Sequence, residues 1–404
     1  MLERITSTMV FLVMAIGLSA QVNPLPRMNW EQKNYDALGA LIRENGNLSP
    51  SYNPACQAYA VFDFDNTISC NDISETLIDY MIDNLLFRMT PEQFHAAFSK
   101  SLPDLDVQLD DFDDALKGRK VTIGEMLADI EEDFTYIWNH YSGYNGNMSL
   151  EKIRKTRWFK DFKVRFRWLY DSIYGSVPNG LSDEWYLHIF ERYTPEEIRE
   201  ITSESVDYWM TKPLKRSAFK SGRKGRSGRL TSTIYTGFRL IPEMVSLIST
   251  LKENGIDVYV CSASQEDVVE GAACNPKYGL NIPADHVYGI RLNKDSEGKT
   301  ASGLLPGYPV TWGPGKVEAI RAFMAPGHCG KDPVLVGGDS NGDYDMMVSF
   351  PRLRHALIIN KNAGGKIGSL CEDGLKDPSS RNLVQGRDEN RGFFIPSKEP
   401  VLLK

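Results

Sequence analysis

The alternation of short apolar runs with helical stretches beyond Thr231 is the feature that most constrains how this chain can fold. Each apolar run has the length of a buried strand, and helical stretches separate the runs. The runs lie at residues 256–262, 287–292, 333–339 and 355–360, and the helical stretches lie at residues 242–254, 265–273, 316–324 and 364–372. This βαβ rhythm predicts an α/β fold with a Rossmann-like parallel sheet that is covered by helices on both faces.

A fifth apolar run, at residues 58–63, lies far upstream and is expected to join the same sheet as its first strand. The pattern between Asn71 and Trp209 is helical and rich in aromatic residues. We interpret this block as a helical cap that is inserted after the first strand. The chain has 404 residues, which suits two or three domains at roughly 100–200 residues each. We predict an α/β core at residues 21–75 and 230–404 and a helical cap domain at residues 76–229.

The composition narrows the class of protein. Hydrophobic residues make up 42% and charged residues 25% of the chain, which excludes a wholly disordered chain and a fibre. A mean hydropathy of −0.34 argues against a multi-span membrane protein. Residues 212–229 hold eight basic residues and no acid. Aromatic residues hardly interleave with these bases, so no nucleic-acid partner is expected, and we interpret the segment as a solvated loop.

The first 20 residues resemble an export signal. Their apolar run, at residues 9–18, is about half of the ~20 residues that a membrane span needs, so no stable membrane span is expected. Small residues at Ser19 and Ala20 suit a cleavage site before Gln21. We therefore predict a signal peptide at residues 1–20 and an exported protein, periplasmic or secreted. The alternative is a buried N-terminal helix.

Polar residues follow the apolar runs where strands of a parallel sheet would end. Asp63 and Asp65 close the first run, Ser262 closes a second, and Asp339 begins the acidic stretch that closes another. Because ligands of open α/β sheets bind at the carboxyl ends of the strands, we expect these side chains to converge in one crevice. Further members of the set are Lys316, which opens a helix, and Asp343.

Two of these positions have alternatives in the sequence. Ser264 could take the place of Ser262, although Ser262 follows the apolar run directly. Lys331 could take the place of Lys316, although Lys331 precedes a strand and would lie at the wrong edge of the sheet.

Converging carboxylates repel one another and need a compensating cation. A hard divalent ion with oxygen ligands fits such a cluster, and Mg²⁺ typically takes one or two carboxylates together with a phosphate oxygen. We therefore predict Mg²⁺ as the cofactor. Phosphoryl transfer suits this combination, because positioning and charge neutralisation carry most of its catalysis.

The ordered motifs resemble those of the haloacid dehalogenase superfamily of phosphatases. Asp63-x-Asp65-x-Thr67, Ser262, Lys316 and Gly338-Asp339-x-x-x-Asp343 match its four motifs in order. The large helical insertion is similar to the cap of the phosphoserine-phosphatase-like branch. The sequence segments VFDFDNT and VYVCSAS most resemble those of secreted phosphorylcholine-phosphatase-like proteins.

The resemblance implies a role for each motif residue. Asp63 would be the nucleophile that forms an aspartyl-phosphate, and Asp65 would be the general acid and base. Asp63 and Asp339 would bind Mg²⁺ through their side chains and Asp65 through its backbone carbonyl. Ser262 and Lys316 would hold phosphate oxygens. Asp343 would orient Lys316 or a water on the metal.

The expected activity is Mg²⁺-dependent hydrolysis of a small phosphomonoester, with phosphocholine or a related amino-alcohol phosphate as a candidate. Glu75 either forms a capping box with Asp72 or contacts a cationic leaving alcohol. Aromatic residues suit a quaternary ammonium. The cap aromatics that could face the substrate are Trp138, Tyr141, Trp158 and Trp168. Alternative functions are a phosphotransferase that uses an acceptor alcohol and a non-catalytic ligand-binding relative.

The six cysteines sort by their position along the predicted strands. Cys56 precedes the first strand and Cys70 follows it, so they lie at edges of the sheet that are ~17–20 Å apart. A disulfide needs Cα atoms ~4.4–6.8 Å apart, so these two are not expected to pair. Cys261 lies inside a strand and is expected to be a buried thiol. In an exported protein, any disulfide should come from the remaining set, with all pairings open: Cys56, Cys274, Cys329 and Cys371.

Overall fold

The computed structural model describes residues 22–178 and 181–404, so the predicted signal peptide at residues 1–20 lies outside the described part of the chain. The strands are β1 (Tyr59–Phe62), β2 (Ser69–Cys70), β3 (Lys215–Lys220), β4 (Thr231–Thr236), β5 (Arg239–Leu240), β6 (Asp257–Gln265), β7 (Val287–Ile290), β8 (Leu292–Lys294), β9 (Thr300–Leu304), β10 (Leu335–Gly338), β11 (His355–Asn360), β12 (Asn382–Asp388) and β13 (Phe393–Phe394).

The helices before the hairpin β3–β4 are α1 (Gln32–Asn45), α2 (Ile73–Asn84), α3 (Pro91–Phe98), α4 (Ile123–His140), α5 (Leu150–Lys155), α6 (Arg157–Ser176), α7 (Leu181–Trp185) and α8 (Pro195–Met210). Those after it are α9 (Pro242–Glu253), α10 (Glu266–Ala273), α11 (Pro314–Ala319), α12 (Tyr344–Val348) and α13 (Gly365–Lys376). Within the described ranges, none of the helices is both long and apolar enough to span a bilayer.

Seven strands form the central sheet, in the order β13-β12-β11-β10-β1-β6-β7. Every neighbouring pair is parallel except β12–β13. The predicted α/β fold with a parallel sheet is therefore confirmed. Strand β1 lies between β10 and β6, with Phe62 in register with Gly337 on one side and Val260 on the other. The carboxyl ends of these three strands consequently meet at one point of the sheet edge.

The residues of β1 are apolar on both faces because both faces are covered. Ala60 and Phe62 pack into a large cluster that includes side chains from α9, α10 and the helices upstream of β3. Tyr59 and Val61 pack into a second cluster that is built by α11, α12 and α13. Alternate residues of a strand point to opposite faces, so a continuous apolar run is what a sheet with two covered faces requires.

The helices α2 to α8 lie between β2 and β3, in the part of the chain that the sequence predicts to be a helical cap. Their interior is aromatic: Phe87, Phe94, Phe134 and Phe162 have ring centroids between 4.5 and 6.1 Å apart. Most of the aromatic residues noted in the sequence thus build a core, as aromatic helix faces commonly do. The division into domains at residues 76 and 229 stays a prediction.

The basic segment at residues 212–229 is largely exposed, as its composition suggests, but it is ordered rather than an irregular loop. It contains β3, and its turn is anchored by buried aspartates of α4 and α6. Asp161 accepts hydrogen bonds from the backbone N–H groups of Gly222 (2.5 Å) and Arg223 (3.0 Å). Asp129 accepts from the N–H groups of Arg226 (3.0 Å) and Ser227 (2.8 Å). The acids that balance the bases lie more than 60 residues away in the sequence, so local charge counting misses them.

A disulfide joins Cys56 and Cys329, with Cα atoms 5.5 Å apart. Both residues belong to the set of four from which a disulfide was expected. Cys70 and Cys261 are buried free thiols, and Cys70 does not pair with Cys56. The expectations for the cysteines are therefore confirmed, and the disulfide ties the segment before β1 to the segment before β10.

Candidate active site

Asp63 lies directly after β1, at the centre of the sheet edge. Its backbone N–H donates to the carbonyl of Gly337 (2.9 Å), so it stays attached to β10 after the strand ends. Its carboxylate accepts a hydrogen bond from Lys316 Nζ (2.6 Å). Burial raises the pKa of Asp63 well above its usual range, while Lys316 acts in the opposite direction. Asp63 lines the crevice, and Lys316 engages only one of its two carboxylate oxygens.

Lys316 bridges two of the predicted site carboxylates. It lies in the first turn of α11, and its Nζ is 2.6 Å from both Asp63 Oδ1 and Asp343 Oδ1. The two carboxylates raise the pKa of this buried ammonium, which burial alone would lower. The alternative cation, Lys331, donates instead to the carbonyl of Cys56 (2.7 Å), at the opposite edge of the sheet. The structure therefore brings Lys316, and not Lys331, to the acids.

Asp343 holds the loop that carries Asp339. Its Oδ2 accepts from the backbone N–H groups of Asp339 and Ser340 (3.0 Å each), and its Oδ1 accepts from Lys316. Gly338 is required beside it, because a Cβ there would lie 2.4 Å from the Asp343 side chain. Both oxygens of Asp343 are thus already engaged by the protein, in keeping with the orienting role that the family resemblance implies.

Asp65 carries a carboxyl group that three donors hold in place. The N–H of Ile73 donates to Oδ1 (2.6 Å), and the hydroxyls of Ser264 (2.6 Å) and Ser262 (3.4 Å) donate to Oδ2. Burial raises the pKa of Asp65 well above its usual range, and the negative charges of Asp72 and Asp63 raise it further. A carboxyl group with a raised pKa is suited to act as a general acid.

Ser262 and Ser264 occupy different depths. Ser262 is fully buried, and its hydroxyl accepts from the backbone N–H of Ser264 (3.1 Å). Ser264 lines the crevice, where its hydroxyl also accepts from Ser74 (2.8 Å). The assignment of Ser262 to a phosphate oxygen stays a prediction, and the structure adds Ser264 as a hydroxyl beside Asp65.

Three carboxylates fit a divalent cation. Asp63, Asp339 and Asp343 each offer an oxygen within 4.8 Å of the others. Hard cations such as Mg²⁺ prefer an all-oxygen donor set of this kind. Burial raises the pKa values of Asp63 and Asp339, and the nearby Lys316 and Lys361 act in the opposite direction. Asp343 is held tightly, by Lys316 (2.6 Å) and two backbone N–H groups (3.0 Å each). Asp339 makes only longer contacts, with Thr67 (3.4 Å) and Lys361 (3.3 Å), so Asp63 and Asp339 are the carboxylates more available to a metal ion.

A cavity of about 490 Å³ opens above these groups. Its floor comes from the strand ends and α11: Asp63, Asp65, Ser264, Lys316 and Asp339. Its far wall comes from the helices upstream of β3 and the hairpin β3–β4, and it includes Phe112, Tyr170, Tyr174, Tyr186 and Tyr235. The volume suits a small ligand whose reactive group rests on the floor.

Glu75 faces the cavity but does not form the capping box. Asp72 caps α2 by accepting from the N–H of Glu75 (2.9 Å). The carboxylate of Glu75, however, pairs with Arg167 Nη2 (2.6 Å) instead of returning to the backbone of Asp72. The capping interpretation of Glu75 is therefore wrong, because an arginine 92 positions away competes for the carboxylate.

Arg167 is surrounded by more negative charge than it can neutralise. Besides Glu75, the buried guanidinium contacts Asp171 (2.7 Å) and Asp79 (3.6 Å). Burial and the charge of Glu75 together raise the pKa values of Asp72 and Asp171 to about 7, although Arg167 acts in the opposite direction. This corner of the cavity wall consequently favours a positively charged ligand.

The aromatic side chains of the cavity are not those suggested by the sequence. Trp138, Tyr141, Trp158 and Trp168 are absent from the lining, and the indole of buried Trp168 donates to the carbonyl of Phe112 (3.1 Å). The lining aromatics lie instead on α6, on the segments flanking the helices and on β4. Spacing along a helix did not separate them from the aromatic residues of the core.

Two cations near the acids were missed by sequence reasoning. Lys361 follows β11 and lies 3.3 Å from Asp339 Oδ2. Arg387 lies in β12, and its positive charge lowers the pKa of Asp339 against the effect of burial. Neither residue belongs to a recognisable motif, and only the position of their strands in the sheet brings them to the site.

Part of the chain matches a known family of hydrolases. Residues 183–348 match the haloacid dehalogenase-like hydrolases. This stretch includes Ser262, Lys316, Asp339 and Asp343 but ends short of Lys361 and Arg387. It also excludes Asp63 and Asp65, which lie upstream of it.

Two similar proteins extend over nearly the whole chain. The phosphorylcholine phosphatase of Pseudomonas aeruginosa is 22% identical over 414 residues, covering 96% of this chain and 97% of that protein. A conserved protein of unknown function from Anaerococcus prevotii has a solved structure that superposes with a TM-score of 0.87 at 28% identity, covering 94% of this chain and 98% of that one.

Proposed function

We propose that the chain, whose residues 183–348 match the haloacid dehalogenase-like hydrolases, hydrolyses a small phosphomonoester through an aspartyl-phosphate on Asp63. The observation that carries the proposal is the arrangement at the end of β1. Asp63 is bound to Lys316 (2.6 Å), and the carboxyl of Asp65 is held nearby with a raised pKa. A nucleophilic carboxylate, a cation and a protonated acid are the groups that phosphate-ester cleavage by this route needs.

The reaction follows from the placement of these groups. The free oxygen of Asp63 attacks phosphorus while the bond to the leaving oxygen breaks, and Asp65 gives its proton to that oxygen. Asp65 then takes a proton from a water molecule, which attacks the phosphorus and releases phosphate and the Asp63 carboxylate. Lys316 holds Asp63 in orientation and offers its charge to the phosphate oxygens.

Asp63 and Asp339 are the carboxylates that would hold Mg²⁺. The ion would supply charge neutralisation for the phosphate oxygens. The support for this assignment is geometric, since Asp63, Asp339 and Asp343 offer oxygens within 4.8 Å of one another, and Mg²⁺ prefers oxygen ligands.

Removal of divalent metal should abolish phosphate release, and Mg²⁺ should restore it. We expect EDTA followed by desalting to lower turnover of 4-nitrophenyl phosphate by about 100-fold or more, because charge neutralisation carries most of phosphoryl-transfer catalysis. Full activity after desalting into metal-free buffer would contradict a metal requirement. Restoration by Mn²⁺ or Zn²⁺ but not by Mg²⁺ would contradict the choice of ion.

The substrate that best fits the cavity is an ester of a cationic alcohol, such as phosphocholine. Glu75, Asp171 and Asp72 place more negative charge on the wall than Arg167 balances. Tyrosine side chains line the same wall, and aromatic faces attract a quaternary ammonium. The name of the Pseudomonas aeruginosa relative, a phosphorylcholine phosphatase, supports the same substrate.

Substitution of Glu75 by Gln should affect cationic substrates selectively. We expect the KM for phosphocholine to rise about tenfold, because its ammonium group loses an electrostatic attraction. The KM for 3,3-dimethylbutyl phosphate, an isostere whose alcohol carries no charge, should change less than about twofold. The measurement is steady-state kinetics on both esters.

Glu372→Gln, at an exposed position of α13, is the matched control and should change neither KM. Asp171→Asn removes a second carboxylate of the same wall and should repeat the selectivity. Equal rises for both esters in Glu75→Gln and Asp171→Asn would show that these acids only support Arg167, and would contradict the cationic substrate.

We further propose that the protein is exported, to the periplasm or out of the cell. The disulfide between Cys56 and Cys329 supports this proposal, because disulfides persist in oxidising compartments. Fractionation of the native host tests it, together with the intact mass. Export predicts a mature chain that begins near residue 21, and a cytoplasmic chain that retains residues 1–20 would contradict it.

A further inference from the structure

We propose that Arg387 is a positioning residue for the general acid, because it clamps the turn that follows Asp65. The inference rests on the proposed function. Arg387 lies in β12, 39 positions beyond the stretch that matches the hydrolase family. Its guanidinium reaches from β12 to the turn at residues 66–69, which is more than 300 positions away in the sequence.

The guanidinium of Arg387 binds both ends of this turn. Nη1 donates to the backbone carbonyls of Asn66 (2.8 Å) and Ser69 (2.9 Å), and Nη2 lies 3.3 Å from the Asn66 side-chain oxygen. The arginine is fully buried. A buried carbonyl without a donor costs free energy, so Arg387 satisfies two acceptors that would otherwise oppose this turn geometry.

The turn needs such a clamp because its backbone is unusual. Asn66, directly after Asp65, has a φ of 58°, in the left-handed region that residues other than glycine rarely adopt. Such a conformation persists where the surrounding structure enforces it. The rigid guanidinium enforces it here, because it binds both carbonyls of the turn. The turn then determines the direction of the Asp65 side chain.

Glu389 keeps the clamp in orientation. Its carboxylate accepts from Arg387 Nε (3.0 Å) and Nη2 (2.7 Å), which leaves Nη1 directed at the turn. This arrangement uses three nitrogens of the planar guanidinium at once. A lysine ammonium is a point charge on a flexible stem and cannot reproduce it.

Asp63 is held independently of this clamp. Its N–H bonds to Gly337 and its carboxylate bonds to Lys316, and neither contact involves the turn at residues 66–69. Loss of Arg387 should therefore misplace the acid Asp65 more than the nucleophile Asp63. The loss of kcat/KM should be largest for esters whose leaving oxygen must be protonated.

The leaving group of the substrate consequently tests the proposal. In Arg387→Lys, we expect kcat/KM for 3,3-dimethylbutyl phosphate to fall about 100-fold, since a displacement of about 1 Å costs that much. We expect kcat/KM for 4-nitrophenyl phosphate to fall only about tenfold, because 4-nitrophenolate leaves without a proton and does not need general-acid catalysis. The parameter kcat/KM reports cleavage of the ester and not the later hydrolysis of the phosphoenzyme.

Arg165→Lys is the matched control. Arg165 is also fully buried and paired with aspartates, but it lies in α6 and contacts Asp133 (2.5 Å) rather than the catalytic turn. We expect this variant to treat both esters alike. An equal loss for both esters in Arg387→Lys would overturn the proposal by showing a general structural role. Absence of turnover of either ester by the wild-type protein would instead overturn the proposed function.

Glu389→Gln tests the same idea if Arg387→Lys does not fold. It leaves the guanidinium in place but weakens the contact that orients it. We expect the same asymmetry between the two esters at a smaller size, about threefold to tenfold for the alkyl ester, as for loss of one charge-assisted hydrogen bond. Equal ratios for both esters would overturn the proposal here as well.

Discussion

Asp63→Asn should abolish phosphomonoester hydrolysis while the protein stays folded. The substitution keeps the size of the side chain and removes the nucleophilic carboxylate. Without a nucleophile, the aspartyl-phosphate cannot form, so kcat for 4-nitrophenyl phosphate should fall at least about 10⁴-fold, as for other enzymes that lose their covalent nucleophile. The measurement is phosphate release under substrate saturation, with circular dichroism to verify the fold.

Asp106→Asn serves as the control for this substitution. Asp106 is exposed and lies outside the cavity, so its change should leave kcat within about twofold of the wild type, as for most surface substitutions. Retained turnover in Asp63→Asn would show that another group accepts the phosphoryl group or that water attacks directly, and either result would contradict the nucleophile assignment.

Lys316→Met should lower both activity and stability, and the stability loss should depend on pH. Lys316 is the cation between Asp63 and Asp343, and all three side chains are buried. Its removal leaves buried carboxylates without a partner. Breaking a buried ion pair in this way costs about 3–5 kcal/mol of the free energy of unfolding. Activity should fall as well, since Asp63 loses the group that orients it.

The sign of the pH dependence follows from the pKa of Asp63. Burial already raises this pKa in the folded protein, and loss of Lys316 removes the main opposing charge. In the unfolded chain the pKa is ordinary, about 4. Ionised Asp63 therefore opposes folding at neutral pH. The penalty begins to shrink as the pH falls below the raised folded pKa, and it is gone only below the unfolded pKa of about 4.

Urea unfolding in EDTA at pH 7.5 and pH 5 measures this effect. We expect the deficit of Lys316→Met relative to the wild type to be largest at pH 7.5 and to shrink at pH 5. Lys376→Met, at an exposed position of α13, should show neither a deficit nor a pH dependence. A Lys316→Met protein as stable as the wild type at pH 7.5 would contradict the bridging role.

The sheet and its catalytic edge could be predicted from the sequence because their causes are local. A strand that is covered on both faces must be apolar along its buried centre, and β1, residues 258–261 of β6, β10 and residues 356–359 of β11 follow this rule. Parallel strands place their carboxyl ends at one edge. The positions of the strands therefore suffice to predict that Asp63, Ser262 and Asp339 lie close together, and no knowledge of side-chain contacts is needed.

The parts that could not be predicted depend on partners far away in the sequence. Strand β12 contains Gln385 and Arg387, which are polar yet fully buried, so it lacks the apolar signature of the other strands. Its arginine is explained only by the carbonyls of Asn66 and Ser69. The ion pair of Glu75 with Arg167 also joins distant parts of the chain. So do the hydrogen bonds between the aspartates and the basic segment at residues 212–229. A pattern within one short stretch of sequence cannot predict such contacts.

The central claim is that the phosphoryl group passes through Asp63. The most direct measurement uses Asp65→Asn with Mg²⁺ and 4-nitrophenyl phosphate, since this ester needs little acid catalysis while hydrolysis of the phosphoenzyme lacks its base. Acid quenching followed by peptide mass spectrometry should find one phosphate on the peptide that contains Asp63, and none in the double variant that also carries Asp63→Asn. Phosphate on any other residue, or release of 4-nitrophenol with no protein-bound phosphate during a slowed turnover, would contradict the account.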